Sequence, residues 1–124
     1  MKVSLLILLT VPLAAQSLDP AQCLALRKHG DPGEASCWQR LSRATDPLVR
    51  AEGLFGLKDY NGANDAFKAA EKARPKDVNV KVQYGFLMLE APNGSPSTAA
   101  DLFNEALEID KNNDHAQGFS RAKD

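Results

Sequence analysis

The stretch "DYNGANDAFKAAEKARPKD" (59–77) sets Ala63, Phe67 and Ala70 in a spacing that ends at Pro75, and Ala99, Phe103 and Ala106 repeat that spacing downstream. The displacement is 36 residues, from position 63 to position 99. The segments in front also match: Leu48 falls on Val82, Ala51 on Gly85 and Glu52 on Phe86, each displaced by 34 residues. The two-residue difference lies in the longer turn "APNGSPS" (91–97). Two helices that match in phase over one such period indicate helix-pair repeats, because a single pair cannot bury its apolar face and must stack on a neighbour. An ordinary bundle that happens to use alanine would not require the second match. The expected fold is all-α: a short α-solenoid of antiparallel helix hairpins.

Packing accounts for the residue types. Two antiparallel helices approach closely only where small residues face each other, so Ala51 and Ala63, like Gly85 and Ala99, are expected at the crossing points. Phe67 and Phe103 then fill the gap toward the following hairpin. Ala70 and Ala106 leave clearance for its first helix.

Punctuation places the helices. Asp46-Pro47 reads as a cap followed by a first-turn proline and opens a helix that ends at the corner around Asp59. The next runs to Arg74 and is stopped by Pro75; another starts at Asp77 and ends before "APNGSPS". Ser97 or Thr98 is expected to cap the helix after that turn, and "NDHAQGFSRAKD" forms a short terminal helix. The segments are 18–45, an N-terminal helix hairpin; 46–77 and 78–112, two repeats; and 113–124, a C-terminal capping helix. Solenoids need about three units to bury their faces, which gives both ends the role of caps.

The first 17 residues, "MKVSLLILLTVPLAAQS", stand apart from the fold. Lys2 followed by an apolar run from Val3 to Leu13 reads as a bacterial secretory signal peptide, too short for the roughly 20 apolar residues that span a bilayer. Ala15 and Ser17 form a small-x-small site, so cleavage is expected before Leu18 or after Ala15. The expected location is periplasmic or secreted, with no stable membrane insertion after processing. The 124 residues suffice for one domain, and 15 basic against 16 acidic side chains give no basic footprint for nucleic acid.

Export gives the two cysteines, Cys23 and Cys37, a meaning, since disulfides persist outside the cytoplasm. Their flanks each open with Asp-Pro, a cap followed by a first-turn proline, at Asp19-Pro20 and Asp31-Pro32, with the turn Gly30-Asp31-Pro32-Gly33 separating the two helices. A Cys23–Cys37 bond would staple that hairpin, closing a loop of about 15 residues worth about 3 kcal/mol in the chain-entropy model. The spacing fits neither a redox C-x-x-C nor a zinc site.

From Asp46 to Asn112 these residues resemble the tetratricopeptide repeat family, whose signature runs small residue, aromatic, A-x3-F-x2-A and a terminal proline in 34 residues. Tyr60 also falls where the family commonly has a corner tyrosine. Pro47 and Lys81 stand where it prefers tryptophan, and Lys111 replaces the second terminal proline. In 18–45, only Ala35, Trp38 and Leu41 fall in loosely similar places, so that hairpin is either a degenerate repeat or a cap.

No nucleophile–base pair, phosphate loop or metal motif occurs, and His29 and His115 stand without neighbouring ligand residues. The chain is therefore read as a non-enzyme with no cofactor and no metal. Asp101, Glu105 and Glu108 form a stripe that reads as a solvated face. The resemblance implies that the first helices of successive repeats line a concave groove holding a peptide or helix of another protein. Carried onto this sequence, the groove is Leu48, Glu52 and Phe55, then Val82, Phe86 and Leu89, unless the caps fold over it and the stripe is core. The lysine and asparagine clamp that some members use for a carboxylate-terminated peptide has no counterpart, so an apolar ligand suits it better than an acidic one. An exported interaction module is the leading expectation; an accessory subunit of an envelope enzyme complex, or a structural or regulatory envelope protein, are the alternatives.

Overall fold

A computed structural model describes residues 19–123, and the leader expected over 1–17 lies outside them. Among the described residues there are seven helices and no strand: α1 Pro20–Lys28, α2 Glu34–Ser42, α3 Pro47–Gly56, α4 Tyr60–Ala73, α5 Val78–Glu90, α6 Pro96–Ile109 and α7 Asp114–Lys123. Their starts follow the caps. The carboxylates of Asp19, Asp46, Asp59 and Asp77 each accept a backbone N–H of the first turn, and Pro20, Pro47 and Pro96 occupy first-turn positions where no N–H is needed. Two starts differ from expectation. The cap of α6 is Ser95, whose hydroxyl accepts from the Thr98 amide, and Ser97 and Thr98 lie inside the helix. Asp31-Pro32 belongs to the turn rather than to α2: the Asp31 carboxylate accepts from the Gly33 amide, and the helix starts at Glu34.

Each helix packs on its sequence neighbours, and in addition α1 touches α3 and α3 touches α5. Arg74, just past the end of α4, donates to both carboxylate oxygens of Asp46 at 3.0 and 2.8 Å. The beginning of α3 therefore lies beside the end of α4, and the two helices run antiparallel. Asp46 caps α3 with the same carboxylate, so one side chain starts one helix and ties down the end of the next. The Arg74 hydrogen bonds hold its carboxyl below the usual range, against the effect of burial.

The small residues sit where close approach demands them. Ala51, Ala63, Ala70, Ala99 and Ala106 are fully buried. Gly85 is buried against the ring of Phe103, and a β-carbon there would lie 2.8 Å from it. Phe67 is fully buried, stacked on Tyr84 at 5.4 Å between ring centres and edge-on to Phe55 at 6.5 Å. The Tyr84 hydroxyl satisfies itself on the Asn64 side chain of α4. A second cluster joins α5 and α6 to α7 through Val82, Ala99, Phe103, Ala106 and Ala116.

Lys81 of α5 looks like a surface residue in the sequence, yet its side chain is only 9% exposed. Its ammonium lies 2.9 Å from Glu71 of α4 and 2.9 Å from Glu105 of α6. Burial works against the charge, and the hydrogen bonds to Glu105 and Glu71 outweigh it, so the pKa rises. At the other end, Cys23 and Cys37 form a disulfide, with α-carbons 5.5 Å apart, inside a cluster with Trp38 and Leu41. No helix among the described residues is long and apolar enough to cross a membrane.

Candidate functional site

Helices α1, α3 and α5 line a cleft of about 280 Å³. From α1 come Pro20, Leu24 and Arg27; from α3, Glu52, Phe55 and Gly56; from α5, Gln83, Phe86 and Glu90, with Trp38 of α2 and Lys58 completing the wall. A shallower hollow continues it past Phe55 and Phe86 to Leu89 and Glu90. Leu24 and Leu89, 51% and 45% exposed, line the cleft and the hollow respectively.

The wall is built by specific contacts. A β-carbon on Gly56 would run into the indole ring of Trp38, so glycine lets α2 press against the last turn of α3. The indole N–H donates to Glu34 at 2.8 Å, and Arg27 donates to the same carboxylate at 2.6 Å while its guanidinium lies 5.2 Å above the indole ring. These bonds, from Trp38 first and Arg27 second, hold the Glu34 carboxyl below its usual range. Arg27 also donates to the Gly56 carbonyl, which joins α1 to the end of α3. Lys58 ends that helix at φ 62°, a left-handed conformation normally left to glycine, and the Asp59 amide reaches back to the Leu54 carbonyl there.

Phe86 is half-buried, edge-on to Phe103 at 5.4 Å and to His115 at 5.6 Å, and its remaining surface faces the cleft. Phe55 is similarly braced by Tyr60 and Phe67. Glu52 lines the same cleft as these two rings. Burial, then the repulsion of Asp46, Asp19 and Asp77, pushes its carboxyl up from 4.5 to about 7. No hydrogen bond or ion pair reaches it among the described residues.

Of the six residues expected to line a groove, the structure brings Glu52, Phe55 and Phe86 together in the cleft and sets Leu89 in the adjoining hollow. Leu48 and Val82 go elsewhere. Leu48 packs against the Ala51–Phe67 core, and Val82, 2% exposed, is part of the α5–α6–α7 cluster. The stapled hairpin contributes Leu24, Arg27 and Trp38, which the sequence reading did not assign to the site. Among the described residues no group of three His, Cys, Asp or Glu side chains is placed to hold a metal ion. Compared with known proteins, the chain matches no family model, no curated protein and no solved structure.

Proposed function

We propose that this chain is an exported bacterial protein-binding module that holds a peptide or helix of another envelope protein in the α1–α3–α5 cleft and performs no chemistry of its own. In this reading the helices form a short tetratricopeptide-like solenoid, repeats 46–77 and 78–112 between the stapled hairpin 18–45 and the terminal helix 113–124. The leader over 1–17 is removed on export to the periplasm or beyond. The observation that carries the reading is that every other helix, α1, α3 and α5, presents side chains to one concave apolar surface with Leu24 and Leu89 left in water at its edge. Exposed leucines rimming an aromatic-lined hollow are a surface that a partner covers. Contacts of α1 with α3 and of α3 with α5 support stacking of hairpins. The Cys23–Cys37 bond supports export.

The test uses the exposed rim, where substitution leaves the core intact. Leu24→Asp and Leu89→Asp should abolish co-purification of the envelope partner at unchanged melting temperature, while Ile109→Asp, 42% exposed and outside the cleft, should not. Equal capture by all three variants would rule out the cleft.

A further inference from the structure

We infer that the segment this cleft receives inserts a lysine or arginine side chain, flanked by large apolar residues, to meet Glu52. The inference rests on the protein-binding reading above and specifies its ligand. Its first ground is geometric: a carboxylate stands in a hollow walled by Leu24, Phe55 and Phe86, with no hydrogen-bond or ion-pair partner among the described residues. Unpaired ionised carboxylates are unfavourable in such surroundings, and they occur where function uses them.

The second ground is that the charged groups around the cleft leave Glu52 without a cation. On α1, Arg27 is committed to Glu34, the Gly56 carbonyl and the Trp38 ring, and Asp19 stands ahead of that helix. On α2, Glu34 is already bonded, and Arg40 is engaged as well. At the start of α3, Asp46 is taken by Arg74, and Arg50 within that helix donates to the Ala44 and Thr45 carbonyls. Lys58, after α3, lines the cleft with no ion pair to Glu52, and the carboxylate its charge acts on is Glu34. On α5, Lys81 is held between Glu71 and Glu105, Glu90 is exposed at the rim, and Asp77 stands ahead of the helix. Asp19, Asp46 and Asp77 all repel the Glu52 charge.

An incoming ammonium or guanidinium answers each of these features. It gives the carboxylate hydrogen-bond donors, and its aliphatic stem suits the apolar walls. A cleft of about 280 Å³ accommodates one long side chain, with apolar neighbours resting on Leu24 and Leu89. A purely apolar ligand would leave the carboxylate covered and unpaired, a neutral donor would leave its charge unbalanced, and an acidic ligand would add repulsion. Because Glu52 ionises near pH 7, binding should be tightest above neutrality and weaken about tenfold from pH 8 to pH 6, following the ionised fraction.

The experiment selects displayed random dodecapeptides at pH 8 on the protein recovered after export, then measures synthetic winners by fluorescence anisotropy at pH 8 and pH 6. The expected winners carry one Lys or Arg among Leu- and Phe-type residues and bind about tenfold more weakly at pH 6. Glu52→Gln should bind at least tenfold more weakly at pH 8 and lose the pH dependence, and replacing the peptide lysine by norleucine should do the same with the unaltered protein. Winners without a cation, or affinity indifferent to both changes, would overturn this inference and leave the protein-binding reading standing. No winner at all, or winners that compete for a surface indifferent to Leu24→Asp and Leu89→Asp, would overturn both.

Discussion

Replacing Glu52 by Gln should stabilise the protein at pH 8 and leave it unchanged near pH 4.5. The carboxyl is pushed up to about 7 in the folded chain, so folding favours its protonated form. A raised folded pKa means that the group is tolerated fully below its unfolded value, and that stability is lost as pH rises through the folded value. From 4.5 to about 7, at about 1.4 kcal/mol for each pH unit, the full effect in a dry site would be about 3 kcal/mol. One side of Glu52 faces the open cleft, where water screens part of the charge, which leaves about 1–2 kcal/mol. Glutamine keeps the shape and removes the ionisation, so the variant should gain that amount at pH 8. Urea unfolding followed by far-ultraviolet circular dichroism at both pH values measures it directly. In a chain of this size the thermal midpoint should rise by roughly 5 °C at pH 8. An unchanged or less stable variant at pH 8, or the same gain at both pH values, would refute the argument that burial and the acidic neighbours act on Glu52.

Ala63→Leu or Ala99→Leu should wedge α3 from α4 or α5 from α6 and destabilise by about 1–3 kcal/mol, read from urea midpoints. Phe67→Ala should lose about 3–5 kcal/mol, because the ring is fully buried between Phe55 and Tyr84. Reducing Cys23–Cys37 should destabilise by about 3 kcal/mol and leave most of the helical signal, since the larger clusters lie in α3–α7; peptide mapping without reductant identifies the bond. Lys81→Ala should destabilise by about 1–2 kcal/mol, less than for a fully enclosed pair, because Glu71 and Glu105 are 33% and 48% exposed and water takes over their solvation.

Helix existence was legible because its signals are local. Asp46-Pro47 and Asp77 cap the helices they were expected to cap, and the alanines and phenylalanines of α4 and α6 are buried on the faces their spacing implied. Ser95-Pro96 carries the same cap-then-proline pattern as Asp19-Pro20, and the surrounding serines obscure it. The site was only half legible for a physical reason. Helix α5 is apolar on most sides, with Val80, Val82, Tyr84 and Leu87 all buried, so its periodicity does not say which residues face the cleft. Lys81 depends on Glu71 and Glu105, 10 and 24 positions away, and no local pattern reveals such a pairing. Leu24 and Trp38 join the site only because the stapled hairpin packs beside α3, an arrangement that the weak repeat signal of 18–45 left open. The basicity of Glu52 arises wholly from tertiary surroundings.

The most direct test of the cleft as a partner-binding groove is site-specific photocrosslinking in the producing cells. A benzophenone side chain at position 24, at position 89 or, as control, at position 109 probes three exposed sites, of which the first two border the cleft. The account predicts one common protein adduct from positions 24 and 89, absent from 109 and competed by the selected cationic peptide. An adduct from position 109 with none from 24 and 89, or no adduct from any position, would contradict it.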